Sequence, residues 1–442
     1  MNTSAHDTPH ATVFDRHESV ARSYCRRIPA VFSQAGGSWL HDSDGRRFLD
    51  FLAGCGALNY GHNDPDMSEA LVAHIRRGGV ATSMDLHTDA KRTFLEVFAR
   101  HVLQGRGLPY RVQFTGPTGT NAIEAALKLA RKVTGRHNVI AFTNGFHGVS
   151  LGALAATGNQ YHRMGAPLPG ITRLPYDGYL GASVDTADLL ERMLGDPSSG
   201  LDAPAAILLE VVQGEGGLNV ASAPWLRRVA ALARRHGALL IVDDIQAGCG
   251  RTGDFFSFEA ADVLPDLVTL SKSISGFGLP MSLLLIRPDH DQWRPAEHNG
   301  TFRGNNHAFV TATVAVEKFW ADRRLGERVQ AVSRELAAGL RAIAAGIPGA
   351  TVKGRGLMVG IDARDPARAD AIAREAYRLG LIIETAGPND EVVKLLPPLT
   401  VSDEELALAL RLIRQAVEAS ADTGADAGVP EAGLASAMSA AA

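Results

Sequence analysis

At 442 residues, with 44 basic against 48 acidic side chains and a formal net charge of -4, the chain can bury one large core or fold as two to three domains. That balance gives no reason to invoke nucleic acid or an anionic membrane as a partner, and no apolar run reaches the length of a membrane span. Cys25, Cys55 and Cys249 are scattered and form no CxxC pair, so free thiols of a reducing, cytoplasmic setting are expected, with neither a disulfide frame nor a metal site.

Met1 to Thr12 is polar, lacks the apolar region of a signal peptide and reads as a loose tail. An amphipathic stretch from Glu18 to Val31 leads into Gly36–Phe51, where two short strands flank an Asp44-Gly45 turn, a hairpin signal. Gly56-Ala57-Leu58-Asn59-Tyr60-Gly61-His62-Asn63 is too glycine-rich and polar for a core element. Thr115-Gly116-Pro117-Thr118-Gly119-Thr120-Asn121 is a loop before a helix with apolar positions 122, 123, 126, 127 and 130. Asn121 and Glu124 have capping-box spacing, and exposed N–H groups with hydroxyls at such a start suit a phosphate. Val139–Phe142 reads as a strand running into Gly145-Phe146-His147-Gly148, where Phe146 is either a core ring or one that stacks on a flat ligand.

Ala205–Glu210 is an apolar strand ending in a carboxylate, followed by Gln213-Gly214-Glu215-Gly216-Gly217. A helix from Trp225 to His236 leads to Leu239–Gln246, again apolar and then acidic at Asp243. Asp266–Gly276 is a third such run and ends at Lys272, a strand-end amine whose partial burial favours the neutral, nucleophilic form. Strands apolar throughout and separated by helices describe a parallel sheet covered on both faces, whose ligands sit outside the carboxyl ends. Phe146, Glu210, Asp243 and Lys272 all fall at or just past such ends, which marks one edge as a site. One more strand, Pro280–Ile286, precedes a polar loop, His298–Asn306, and a helical pattern from Ala308 to about Ala345. A smaller α+β segment follows: a strand at Gly354–Ile361, a helix at Ala367–Leu379, strands at Leu381–Glu384 and Val392–Leu396, and a helix at Ser402–Glu418. The Ala/Gly/Ser-rich tail from Ala419 is expected to be mobile.

An imine-forming lysine, a strand-end acid, a stacking aromatic and a phosphate seat together suit pyridoxal 5'-phosphate. In that reading Asp243 keeps the pyridine nitrogen protonated, Gln246 donates to the ring oxygen, and Thr118, Gly119 and Thr120 hold the phosphate.

The chain resembles the class III, fold-type I aminotransferases from about Glu18 to Glu418. The resemblance rests on Thr118-Gly119-Thr120 with Glu124–Arg131, Gly145-Phe146-His147-Gly148, Glu210 with Gln213–Gly217, Asp243–Gly248 with Gly250-Arg251-Thr252-Gly253, and Ser271-Lys272. It implies an α/β fold: a large domain (residues 71–325) with a mostly parallel sheet covered by helices, and a smaller α+β domain from both chain ends (residues 1–70 and 326–418), before the tail 419–442. Within the family, the stretches 56–63, 114–121, 142–148 and 298–306 resemble the diaminobutyrate–2-oxoglutarate aminotransferases of ectoine biosynthesis. The implied reaction is L-aspartate 4-semialdehyde plus L-glutamate giving L-2,4-diaminobutyrate plus 2-oxoglutarate. Siderophore and diaminopropane pathways use the same step, and another ω-aminotransferase or an aminomutase of this fold is the rival reading. By the resemblance Lys272 is the Schiff-base lysine and proton shuttle, and Asp243 pairs with the pyridine nitrogen. Phe146 stacks on the ring beside His147, Glu210 supports from behind, and Thr301 reaches the phosphate of a neighbouring subunit. That implies at least a homodimer with shared sites. Tyr60, Glu215 and Lys394 are the candidate substrate residues. Many ω-aminotransferases have an arginine two residues before a Pro-Pro pair, whereas here Pro397-Pro398 follows Lys394-Leu395-Leu396. In relatives that arginine pairs with the acid equivalent to Glu215, which swings away for a dicarboxylate; Lys394 either does the same or is a surface lysine on an edge strand.

Overall fold

The computed structural model describes residues 12–164 and 168–423, so the expected tails lie almost wholly outside the described residues. Seven strands form the central sheet, in the order Arg111–Phe114, Leu283–Ile286, Leu267–Leu270, Leu239–Asp243, Ala206–Leu209, Val139–Phe142 and Ile171–Leu174. The last five of these run parallel, and Leu283–Ile286 lies antiparallel to both of its neighbours. Every residue of the five inner strands is buried, because helices cover both faces and leave no wet side for polar residues. The two edge strands, Arg-Val-Gln-Phe and Ile-Thr-Arg-Leu, are only partly buried and are not among the expected strands.

Helix Gly119–Thr134 buries Ala122, Ile123, Ala126, Leu127 and Ala130 against this sheet, the stripe its spacing predicts. On the opposite side Phe94, Phe98 and Phe309 pack in one core, with Phe94 stacked on Phe309 at 5.8 Å. Each such ring contributes about 1.5–3 kcal/mol by leaving water.

A second core joins the chain ends. Leu49 and Phe51 pack with Val329, Leu336, Leu395 and Ile413. Strand Leu381–Ile382 pairs parallel with Arg47–Asp50 and extends the predicted hairpin, Trp39–Asp42 with Arg47–Asp50. Beside it a four-stranded sheet runs Thr351–Arg355, Met358–Asp362, Val392–Leu395, Glu384–Ala386. Helices Pro366–Arg378 and Asp403–Thr423 cover this end, the second continuing past the expected stop at Glu418.

Three expectations are corrected. Glu18–Val31 yields only a four-residue helix, Tyr24–Arg27, with no buried residue, so its apolar stripe has no core to enter. The helix expected from Ala308 to Ala345 is two, Asn306–Trp320 and Arg324–Ala344. Asp322 breaks it by turning its carboxylate to the Arg324 N–H at 2.9 Å, and the two pieces serve different cores. The pair Asn121/Glu124 is no capping box: the helix starts at Gly119 with Thr118 as its cap residue. Glu124 instead accepts the N–H groups of Gly152 and Ala153 at 2.7 and 3.0 Å, capping the start of Leu151–Ala156.

Candidate active site

The carboxyl ends of the parallel strands converge as expected. Asp243 is the last residue of its strand and is buried. Its Oδ2 lies 2.8 Å from His147 Nδ1, and its Oδ1 accepts from the Thr269 hydroxyl and the Ile245 N–H, each at 3.2 Å. Burial works against protonation of His147, but the hydrogen bond and charge of Asp243, with Glu210 behind, outweigh it and raise the imidazole above its ordinary range. Glu210 accepts the Phe146 N–H on Oε1 at 2.9 Å and the Gly214 N–H on Oε2 at 3.2 Å. Burial raises its carboxyl to about 7. Glu210 therefore ties the Phe146–His147 loop to the loop that carries Glu215. Phe146 is partly buried, its ring 5.5 Å from that of His162 and edge-on to it.

Lys272 follows strand Leu267–Leu270 in the left-handed region, φ 52°. Its Nζ donates to the Cys55 carbonyl at 2.9 Å. That carbonyl belongs to a run of four left-handed residues, Ala53 to Gly56, with φ from 46° to 79°. Such backbone in a non-glycine residue costs about 1–3 kcal/mol and persists only where surroundings over-determine it. Here they do. Asn59 donates its backbone N–H to Ser273 Oγ at 3.0 Å and its amide to the Cys249 carbonyl at 3.0 Å, and Ser273 Oγ donates to the Gly56 carbonyl at 2.7 Å. The fully buried Arg251 donates to Asn59 Oδ1 and to the carbonyls of Leu357 and Pro397. Desolvation pushes its guanidinium down to about 9.

Gln246 donates to the same Cys55 carbonyl at 3.2 Å and to Glu215 Oε1 at 3.1 Å. Its own Oε1 is buried without a partner. The start of Gly119–Thr134 packs between these elements. A Cβ on Gly119 would come within 2.8 Å of Ile245, and one on Gly148 would collide with the Thr120 hydroxyl. The Thr118 side chain makes no cap bond to the helix; the Asn121 N–H turns to the Thr118 carbonyl at 3.0 Å, which leaves the N–H groups of Gly119 and Thr120 at the open end of the helix.

Lys394 is buried and sits on an inner strand, which overturns the reading of a surface lysine on an edge. Its Nζ is 2.8 Å from Glu215 Oε1 and 2.9 Å from Glu384 Oε1. Burial alone would lower its ammonium, yet the two acids hold it well above the usual lysine range. Burial likewise favours neutral Glu215, but Lys394 and Lys272 outweigh it and pull its carboxyl down to about 2. The Cys55 thiol lies 3.6 Å from Glu215 Oε1 and 3.9 Å from Glu384 Oε1, and accepts from the Tyr24 hydroxyl at 3.3 Å.

The structure thus brings together Thr118, Gly119, Thr120, Phe146, His147, Glu210, Glu215, Asp243, Gln246, Lys272 and Lys394. It does not bring Tyr60: that ring stacks on Phe319 at 4.7 Å in the core, and its hydroxyl accepts from the Trp320 indole at 2.8 Å. Tyr60 is therefore a core residue, turned inward because its apolar ring finds an aromatic partner there. Thr301 is exposed in the short turn Thr301–Arg303 and makes no side-chain hydrogen bond to this cluster. Sequence reading missed Glu384, Cys55 and Tyr24. The available signal for Glu384 was an acid directly after the apolar run Leu381–Ile383, just as Lys394 interrupts the apolar run Val392–Leu396.

These groups suit pyridoxal phosphate. Asp243 is a buried acid backed by His147, Gln246 carries an unpartnered amide oxygen, and the helix start, packed at Gly119 on the intervening Ile245, offers N–H groups and hydroxyls. The family model for class III aminotransferases matches residues 20–417. The chain is 56% identical over 407 residues to a diaminobutyrate–2-oxoglutarate transaminase of Vibrio cholerae, covering 91% of this chain and 98% of that protein. It is 54% identical over 415 residues to one of Streptomyces anulatus, covering 93% and 99%. Among solved structures, ornithine aminotransferase of Toxoplasma gondii superposes with a TM-score of 0.79 at 26% identity, covering 93% of this chain and 94% of that one.

Proposed function

The chain belongs to the class III aminotransferases, and from that premise we propose that it interconverts L-aspartate 4-semialdehyde plus L-glutamate with L-2,4-diaminobutyrate plus 2-oxoglutarate, using pyridoxal phosphate. The observation that carries this reading is Lys394, buried between Glu215 and Glu384 next to Lys272 and Gln246. A site that alternates between a diamine and a dicarboxylate needs a cation that can be covered and uncovered. Glu215 stands on the loop between strands Val212–Gln213 and Asn219–Val220, and its side chain is 30% exposed, so it is the partner free to move.

Bound pyridoxal phosphate supplies the electron sink that lets the carbon bearing the amino group lose a proton. The rest falls to the chain. Lys272 would hold the cofactor through its amine, and that amine would carry the proton that the substrate gives up. Asp243, held in place by His147 and Thr269, would keep a proton on the ring nitrogen. Gln246 would hold the ring oxygen through its amide and Phe146 would stack on the ring, while Thr118, Gly119 and Thr120 would hold the phosphate. Glu210 fixes the backbone under Phe146.

The active unit is at least a homodimer, in which Thr301 of one subunit reaches the phosphate bound by the other. Its exposure in a short turn, with no hydrogen bond to the site of its own chain, supports this; full turnover by a verified monomer would overturn it. The enzyme acts in the cytoplasm; among the described residues no helix is long and apolar enough to cross a membrane. Its diaminobutyrate serves ectoine synthesis, with siderophore and diaminopropane supply as the alternatives that neighbouring genes distinguish.

The decisive experiment presents the holoenzyme with L-glutamate alone, then with a panel of diamines and ω-amino acids plus 2-oxoglutarate. Release of 2-oxoglutarate in the first arm and preference for 2,4-diaminobutyrate in the second are expected. No release in the first arm would point to an aminomutase.

A further inference from the structure

Lys394 has two acidic partners of different kinds. Glu215 comes from a loop, whereas Glu384 is the register partner of Lys394 across antiparallel strands. The Glu384–Lys394 contact is therefore built into the sheet and stays when Glu215 leaves. Each carboxylate places Oε1 on Lys394, and its Oε2 remains as a further acceptor. Among the described residues Lys272 pairs with neither acid, its Nζ donating to the Cys55 carbonyl, so within the ion-paired cluster two acids, Glu215 and Glu384, face one base, Lys394. The neighbouring Cys55 thiol and Tyr24 phenol are both held neutral by burial. With both acids ionised the cluster carries one negative charge in excess.

We propose that Glu384 is a specificity-determining residue whose carboxylate supplies the counter-charge for the second ammonium of a diamine substrate. The inference rests on the diamine reading given above. An ω-amino acid that lacks the second ammonium leaves the excess charge unmatched, and so does a dicarboxylate. For a dicarboxylate the effect is larger: with Glu215 withdrawn, an ionised Glu384 at 2.9 Å would cancel most of the attraction of Lys394. Glu384 therefore takes up a proton from solvent when 2-oxoglutarate binds, and releases it when the diamine does. Its surroundings allow both states. Burial pushes its carboxyl up and Glu215 adds to that, while Lys394 and Lys272 pull it down.

The test measures half-reactions of the holoenzyme by stopped flow with 2,4-diaminobutyrate, 4-aminobutyrate and 2-oxoglutarate, for wild type, Glu384→Gln and Glu384→Asp. Glutamine keeps an oxygen to accept from Lys394 but removes the charge. The wild type should prefer the diamine over 4-aminobutyrate. Glu384→Gln should lose roughly 10- to 150-fold of that preference, the range of one charge-assisted contact. It should also bind 2-oxoglutarate at least as tightly as wild type and lose the fall in that affinity as pH rises. Glu384→Asp, which restores the charge, should recover part of the preference. If Glu384→Gln weakens all three ligands equally, or leaves the preference unchanged, the inference is overturned. If the wild type itself does not react with 2,4-diaminobutyrate, the proposed function fails first, and that outcome is read from the wild-type arm alone.

Discussion

Lys394→Ala tests the two-substrate reading most directly. The wild-type ammonium is fully buried and makes two close charged contacts, 2.8 Å to Glu215 and 2.9 Å to Glu384. In the 2-oxoglutarate and glutamate half-reactions we assign one of those contacts to a substrate carboxylate. Losing a charge-assisted contact costs about 1.5–3 kcal/mol, or roughly 10- to 150-fold in affinity. The diamine half-reaction does not use that contact, so its KM should move far less. The fold also suffers. Two carboxylates that shared one cation are left facing each other, and breaking a buried pair typically costs about 3–5 kcal/mol unless one acid takes a proton. Thermal unfolding should therefore be run beside the kinetics, with Lys394→Arg as a control that keeps the charge and adds a bidentate fork. Stopped-flow half-reactions separate the substrates. If Lys394→Ala weakens diaminobutyrate and 2-oxoglutarate equally while the protein stays folded, or weakens neither, the dicarboxylate is held elsewhere.

Three further outcomes are expected. Lys272→Ala should hold little or no covalent cofactor and lose turnover; borohydride trapping that still fixes the cofactor to the protein would displace Lys272 from its role. Asp243→Asn should keep the covalent cofactor, since Lys272 is untouched, yet lose roughly 100-fold or more in turnover; near-wild-type rates in a folded variant would mean that another group serves the ring nitrogen. Asp244 has its carboxyl raised to about 7 by burial, and Oδ1 has no partner. The folded state thus keeps a proton that the unfolded chain releases near pH 4, so its contribution to stability falls as pH rises from about 4 to 7. Asp244→Asn should flatten that slope and gain on the order of 1–4 kcal/mol at pH 8 relative to wild type; an unchanged difference in denaturation midpoint between pH 5 and 8 would refute this.

How far the chain could be read before folding depends on whether a residue's surroundings are local. Glu210, Asp243 and Lys272 were legible because each ends an apolar run, and a parallel sheet puts all such ends on one edge. The edge strands Arg111–Phe114 and Ile171–Leu174 were not, because half-buried strands mix polar and apolar residues over only four positions. Tyr60 misled for a related reason. Its glycine-rich neighbours do line the site through the Cys55 carbonyl and Asn59, but the ring itself turns into the aromatic core.

Lys394 shows the other limit. A lysine between valine and leucine on a strand is ambiguous until its neighbours across the sheet are known, and both of its acids are remote in sequence or come from another strand. Glu384 was missed because its meaning exists only in the pair. Alone it is an acid in a buried strand, a costly position; opposite Lys394 it is a fixed half of a charged contact. That difference decides what the site can do. A lone Lys394–Glu215 pair would be neutral when closed and cationic when open, which suits a dicarboxylate but gives a diamine nothing to bind. Adding Glu384 makes the closed cluster anionic, and a single proton on Glu384 restores the cation when Glu215 moves. Two unlike substrates can then use one pocket without any change in the strands that build it.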